Sequence, residues 1–63
     1  MSVGAKLREL RGSRSQLEVA NVVGISKSAL AMYERDERVP RDEIKIRLAN
    51  FYGQSVQFIF YSD

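Results

Sequence analysis

Apolar residues recur along most of the chain at the spacing of short amphipathic helices. Val3, Leu7 and Leu10 stand at i, i+4 and i+7, so they share one face of a helix that we predict over residues 3–11. Lys6, Arg8 and Glu9 fall on the remaining faces, outside the buried stripe, and Arg11 falls on its edge. The segment therefore has the pattern of a helix that is buried along one side only.

A polar connector, residues 12–14, leads from this segment into a second predicted helix. Ser15 has the side chain and the position of an N-cap, and Glu18 three residues later would complete a capping box. The apolar pattern continues to about Val23, with the small residue Ala20 one turn before the end of the helix. A small side chain at that position allows a neighbouring helix to cross closely.

The second helix is predicted to end in a tight turn at Gly24, which can adopt a positive φ without a Cβ penalty. Ser26 follows as the N-cap of a third helix over residues 27–35, whose buried positions include Leu30 and Tyr33. Two short helices, a glycine turn between them and apolar residues on both sides together describe a helix-turn-helix. In that unit the second helix lies in the major groove of DNA.

A charged loop separates the third helix from a fourth, which we predict over residues 41–52, with Pro40 opening it and Gly53 ending it. Residues 43–48, EIKIRL, also alternate with period 2, so a strand is the alternative for this segment. The acidic first turn and the length of the segment favour a helix. Its apolar stripe consists of Ile44, Leu48, Phe51 and Tyr52.

The C-terminal segment, residues 56–60, is predicted to form a last short helix capped by Ser55, although it could equally form a terminal strand. In a helix, Phe58 and Tyr61 point outward. The inward set is then Val56, Ile59 and Phe60. The whole chain is predicted to be all-α, a compact bundle of five short helices.

The composition limits what so small a bundle can do. The 63 residues form one predicted domain, residues 1–63, near the lower size limit for a single apolar core. The chain contains no cysteine and no histidine, so we expect no disulfide, no metal site, no cofactor and no enzyme activity. No apolar run approaches the ~18 residues of a membrane span, and no secretory signal is present, so we expect a cytoplasmic protein.

The charged side chains are unevenly distributed, although the net charge is only +2. Residues 1–35, which contain the predicted helix-turn-helix, carry six basic and three acidic side chains. Residues 36–63 carry four basic and five acidic side chains. The helix-turn-helix thus lies in the basic half of the chain, which suits a polyanionic partner.

The motifs resemble those of the Xre family, the lambda repressor- and Cro-like helix-turn-helix domains of bacteria and their phages. The resemblance is carried by GAKLRELR in the first helix, SQ-EVA in the second, VGISKSAL across the turn and MYER at the end of the third. RVP, RLANFYG and SVQFIF continue it almost to the end of the chain. It implies a compact five-helix domain that binds a two-fold related operator in double-stranded DNA as a homodimer.

The resemblance also implies which residues contact DNA. Lys27, Ser28 and Met32 match base-contacting positions, and Ala31 shares their outward face. Lysine can donate to guanine, serine to several base edges, and a methyl-bearing side chain can meet the thymine methyl group. Gln16 matches a glutamine that contacts the phosphate backbone, and arginines around the outward face should hold further phosphates. These arginines are Arg14, Arg35, Arg38 and Arg41.

Two further sets of residues are assigned by the same resemblance. Arg11 and Glu34 match a buried ion pair that links the first helix to the end of the third. The family places its last helix at the dimer interface, where three aromatic residues of this chain would then lie. These aromatic residues are Phe58, Phe60 and Tyr61.

Two features depart from the family pattern. The connector between the first two helices is about two residues shorter than usual. Arg14 stands in it where an apolar residue is usual, so it could add a cation near the DNA. Leu17 stands where glutamate is commoner, so this face of the second helix could pack or bind differently.

These features favour a sequence-specific DNA-binding transcriptional regulator, of phage, mobile-element or autoregulatory type, that acts as a repressor by occupying promoter DNA. The two half-sites would then lie about one helical turn, roughly 34 Å, apart. The alternative is a protein-binding module, such as an antitoxin or an adaptor, with secondary DNA contact. Exposure of Leu17, Val22 and Phe58 would support that alternative.

Overall fold

The computed structural model describes residues 1–62, which contain five short helices. The all-α fold predicted from the sequence is confirmed, and the strand alternatives for the fourth and fifth segments are wrong. None of the described helices is long and apolar enough to cross a membrane. The helices are α1 (Val3–Arg11), α2 (Gln16–Val23), α3 (Lys27–Glu34), α4 (Asp42–Tyr52) and α5, a single π-helical turn (Gln57–Tyr61).

Serine residues cap the starts of α1, α2 and α3. The hydroxyl groups of Ser2, Ser15 and Ser26 each accept a hydrogen bond, at 3.0–3.1 Å, from the backbone N–H three residues later. Ser55 accepts the equivalent bond from the last segment at 2.9 Å. The predicted capping box is only half formed among residues 1–62, because Glu18 contributes its backbone N–H and not its carboxylate.

The bounds of three helices differ by one residue from the prediction, and one of these is α5, which spans Gln57–Tyr61 rather than residues 56–60. The helix α3 ends at Glu34, with Arg35 as its C-cap. The helix α4 begins at Asp42, because Arg41 has an extended backbone and serves as its N-cap. Pro40 therefore lies two residues before the helix rather than opening it, and it is buried.

The helices enclose one core to which all five contribute. The helix α1 packs against α3 and α5, and α2 packs against α3 and α4. The predicted stripes are buried at their centres, whereas Val3, Leu10, Phe51 and Tyr52 at their ends are only partly buried. The buried residues of the core are Leu7, Val19, Ala20, Val23, Leu30, Tyr33, Ile44, Leu48, Ala49 and Ile59.

The helix α1 crosses the end of α3 so closely that a side chain larger than hydrogen does not fit at Gly4. A Cβ atom on Gly4 would lie 2.4 Å from the backbone oxygen of Glu34. The Gly4 N–H donates to Oδ1 of Asp36 at 2.8 Å, and Arg8 Nη2 donates to the backbone oxygen of Glu34 at 3.2 Å. The start of α1 is therefore fixed on the turn that follows α3.

This turn is a Schellman motif with an aspartate at the position that glycine usually occupies. Asp36 has a φ of 60°, in the left-handed region. The Asp36 N–H donates to the Tyr33 oxygen at 3.2 Å, and the Glu37 N–H donates to the Met32 oxygen at 2.9 Å. The hydrogen bond from the Gly4 N–H lowers the pKa of the Asp36 carboxyl group. Contacts with α1 thus stabilise a backbone conformation that aspartate rarely adopts.

Lys6 was predicted to lie outside the buried stripe, and this prediction is wrong. The residue is buried and only 7% exposed. Its ammonium group donates to the backbone oxygen of Phe58 at 3.0 Å and to the backbone oxygen of Ser62. The last carbonyl groups of a helix have no partner within the helix, and here Lys6 supplies one. The long apolar stem of lysine allows the charged end to reach these carbonyl groups from a buried position.

Candidate nucleic-acid interface

The outward face of α3 forms a shallow depression, hereafter the α3 surface, in which six of the predicted site residues come together. Lys27 and Ser28, in the first turn of the helix, are exposed. Ala31 and Met32, one turn later, are half-buried. Hydrogen-bond donors and methyl groups thus lie side by side on a face open to a partner. The α3 surface consists of Gln16, Lys27, Ser28, Ala31, Met32 and Arg35.

The helix α3 is held firmly beneath this surface. Leu30 is fully buried on its inner face, and Tyr33 is 8% exposed. In the turn before α3, Gly24 has a φ of 85°, and the N–H groups of Gly24 and Ile25 both donate to the backbone oxygen of Ala20, at 2.9 and 3.0 Å. A helix fixed both at its inner face and at its preceding turn presents its outward side chains as a rigid set.

A buried carboxylate links α3 to α1 and α2. Glu34 accepts hydrogen bonds from Nε and Nη2 of Arg11 at 2.8 and 3.0 Å, and from Nε2 of Gln16 at 2.9 Å. The Glu34 side chain is 1% exposed and the Arg11 side chain 18% exposed. The Glu34 carboxylate raises the pKa of Arg11, mainly through the hydrogen bond between them. Since a carboxylate only accepts, Gln16 must turn its NH₂ group inward, which leaves one amide hydrogen for another partner.

Arg14 lies apart from the α3 surface. Its guanidinium group lies over the rings of Phe51 and Tyr52, 5.0 and 5.5 Å from their centroids. It also donates to the backbone oxygens of Leu10 and Arg11, at 2.8 and 3.1 Å. The cation therefore packs on α4 from the position where the family usually has an apolar residue. Arg14 thus makes contacts within its own chain, whereas the sequence predicted only a contact with phosphate.

A second depression adjoins the turn before α3 and carries exposed arginines. Arg38 and Arg41, both predicted to hold phosphates, line it together with Arg47 of α4. Arg47 also forms an ion pair at 2.5 Å with Glu43, one helical turn earlier on α4. A Cβ atom on Gly24 would lie 3.3 Å from Arg47 Nη1, so the absence of a side chain there leaves room for this guanidinium.

Arg35 is paired with a carboxylate that the sequence did not indicate. Its Nε and Nη2 atoms donate to the two oxygens of Glu37, at 2.9 and 3.0 Å. Both side chains are about half exposed. The pairing raises the pKa of Arg35 and lowers the pKa of Glu37 through the hydrogen bonds between them. One cation of the α3 surface is thus partly neutralised by its own chain.

The three C-terminal aromatic residues differ in exposure. Phe58 is 47% exposed and Tyr61 is 57% exposed, whereas Phe60 is half-buried against the core. Lys45 Nζ donates to the Tyr61 hydroxyl at 2.8 Å and lies 5.7 Å from the centroid of Phe60. Phe58 and Tyr61 therefore form the outward part of this end of the molecule.

Comparison with known proteins shows the family of the chain. The Helix-turn-helix family profile matches residues 5–59. The chain is 34% identical to the HTH-type transcriptional regulator ImmR of Bacillus subtilis (strain 168), over all of its own length and 51% of the relative's. It is 41% identical to the cryptic phage CTXphi transcriptional repressor RstR of Vibrio cholerae, over 78% of its own length and 46% of the relative's. The chain thus spans about half the length of these curated relatives.

The fold is also found among solved structures. The P22 c2 repressor protein, crystallised with synthetic operator 9T, superimposes with a TM-score of 0.94 at 25% identity. The match covers all of this chain and 98% of the P22 chain. The profile, the relatives and the fold agree with the motifs described above. The chain belongs to the helix-turn-helix family, among the Xre or lambda repressor- and Cro-like domains.

Proposed function

We propose that this chain is the DNA-binding unit of a sequence-specific transcriptional repressor of phage or mobile-element type, acting in the cytoplasm. One observation carries the proposal: the α3 surface places Lys27, Ser28 and Met32 on the open face of a firmly held helix, beside Gln16 and Arg35. Two relatives with regulator and repressor in their names, and a repressor of the same fold in complex with a synthetic operator, support it.

Within this proposal, α3 enters the major groove and its outward side chains meet base edges. The Lys27 ammonium group donates to guanine O6 and N7, and the Ser28 hydroxyl bonds to an adjacent base edge. The methyl groups of Ala31 and Met32 meet a thymine methyl group. These four side chains carry the sequence preference, because phosphate contacts alone fix only the position of the protein on the duplex.

Phosphate contacts flank the groove on two sides in this proposal. On one side, Gln16 offers its remaining amide hydrogen at the N-terminus of α2, next to Arg35. On the other side, the arginines of the second depression offer three guanidinium groups. Such contacts release counterions, so affinity should fall steeply as the salt concentration rises. The flanking arginines are Arg38, Arg41 and Arg47.

Replacing Lys27 by alanine should weaken binding to the operator by about tenfold to a hundredfold, since one good base contact contributes ~1–3 kcal/mol. A nuclease footprint on the DNA upstream of its own gene would first locate the operator, and titration of that site would then measure the loss. Binding to unrelated DNA is the internal control, and it should change much less. A Lys27→Ala variant that binds the operator as tightly as the wild type would contradict the assignment.

We further propose that the functional unit is a homodimer joined through the C-terminal turn, with Phe58 and Tyr61 in the contact and Phe60 beside them. Their exposure at one end of the molecule suits a self-complementary interface. Half-sites about 34 Å apart would then match the two copies of α3.

Sedimentation equilibrium checks the dimer. The wild type should sediment as a dimer at the concentrations that bind the operator, and Phe58→Ser should shift it to a monomer because the contact loses its central aromatic side chain. Leu17→Ser is the matched control, since Leu17 is an apolar residue 53% exposed on α2. A wild type that is monomeric while bound to a half-site would overturn this part of the proposal.

A protein-binding module, such as an antitoxin or an adaptor, is the second candidate. Leu17 and Val22 of α2 are 53% and 67% exposed, and this exposure is the observation that supports the second candidate. Two results would favour the protein-binding module over the repressor. A second polypeptide would co-purify with the wild type and be lost on Val22→Ser, and the pure protein would not shift labelled DNA.

A further inference from the structure

We propose that Glu37 limits the affinity for DNA by occupying the guanidinium group of Arg35, as a substitute for a phosphate within the chain. This inference rests on the proposed function, since it concerns a cation of the α3 surface. Two parallel hydrogen bonds, at 2.9 and 3.0 Å, join Nε and Nη2 of Arg35 to the two Glu37 oxygens. A phosphate would use the same edge of the guanidinium group, because carboxylate and phosphate both match its fork.

The pair is positioned by the backbone, so it forms without ordering a loop. The Arg35 N–H donates to the Ala31 oxygen at 3.1 Å, and the Glu37 N–H donates to the Met32 oxygen at 2.9 Å. Asp36, between them, is fixed by its hydrogen bond from Gly4. Both side chains of the pair therefore start from the turn that closes α3, directly beside the residues proposed to meet bases.

The pair is also exposed enough for DNA to replace it. The side chains are 54% and 53% exposed, so water screens their attraction and an exposed pair of this kind is weak. A phosphate that binds Arg35 must displace the carboxylate, which then remains as an uncompensated negative charge near the DNA backbone. Both effects lower the affinity that the cation could otherwise contribute. The buried pair of Arg11 and Glu34 has no such freedom.

The effect of Glu37 on the affinity for DNA is measured by fluorescence anisotropy at low salt, with a labelled 20-base-pair duplex of arbitrary sequence. No operator is needed, because phosphate contacts do not depend on the base sequence. Glu37→Gln should bind about fivefold more tightly than the wild type. Glu9→Gln is the matched control, since Glu9 is an exposed acid on α1 and the net charge changes equally. It should bind less than about twofold more tightly.

The decisive comparison uses Arg35→Gln as the background. If Glu37 acts mainly by occupying Arg35, adding Glu37→Gln to that variant should tighten binding by less than about twofold, because only the repulsion between its carboxylate and the phosphates is then removed. A gain that stays near fivefold without Arg35, or that Glu9→Gln reproduces, would overturn the inference while leaving the proposed function intact. Failure of the wild type and every variant to bind the duplex would overturn the proposed function, and this inference with it.

Discussion

The substitution Glu34→Ala should lower the free energy of unfolding by about 3–5 kcal/mol, as removal of one partner from a buried ion pair does. The carboxylate is 1% exposed, and its loss leaves the Arg11 guanidinium and the Gln16 amide without their acceptor. A domain of 63 residues has a total stability of roughly 3–9 kcal/mol. The change should therefore remove about a third or more of that stability, which circular dichroism during urea denaturation would show as a lower midpoint.

Two comparisons separate this effect from a general loss of charge. Glu9→Ala removes an exposed acid from α1 and should change the free energy of unfolding by less than about 0.5 kcal/mol. Removing Arg11 as well, as Arg11→Met with Glu34→Met, should cost less than the two single changes added together, since no buried charge then lacks a partner. An unchanged melting temperature for Glu34→Ala would refute the structural role of the pair.

The substitution Gly4→Ala should lower the free energy of unfolding by about 2–3 kcal/mol through overpacking. The added Cβ would lie 2.4 Å from the Glu34 backbone oxygen, so α1 must move away from α3. That movement would also lengthen the hydrogen bond from the Gly4 N–H to Asp36. Thermal denaturation followed by circular dichroism would measure the loss.

The direction of this change is informative, because helix propensity alone predicts the opposite. Alanine in a helix is favoured over glycine by about 1 kcal/mol, so a stabilised Gly4→Ala variant would show that the helices do not cross closely. Gly53→Ala is a useful contrast, since no atom lies within 4 Å of the added Cβ and the only penalty comes from the positive φ of 66°. We expect that penalty to be about 1–2 kcal/mol.

The sequence predicted most of the fold because the signals for it are local. The serine caps at Ser15 and Ser26, the glycine turn at Gly24 and the apolar spacing each act within one or two helical turns. The outward face of α3 follows from the same periodicity, since fixing Leu30 and Tyr33 inward leaves Lys27 and its neighbours outward.

What the sequence did not predict depends on contacts between distant segments. Lys6 is buried because the carbonyl groups of the C-terminal turn, more than 50 residues away, come within its reach. Asp36 adopts a left-handed conformation because the start of α1 lies against it. Arg14 turns toward two aromatic rings of α4 that no local pattern placed there. Each of these outcomes depends on packing between distant segments, which the periodicity of a single helix does not predict.

The bonds from Lys6 to the C-terminal turn join the last element of the chain to the first. The helix α1 is in turn hydrogen-bonded to Asp36 through Gly4 and to Glu34 of α3 through Arg11, so a continuous series of contacts within residues 1–62 connects the aromatic end to α3. In a dimer associated through Phe58, the two copies of α3 would then be held at a fixed distance from each other. Such a dimer would bind tightly only where the two half-sites have the matching separation. A base pair inserted between the half-sites should lower the affinity even though both half-sites are intact.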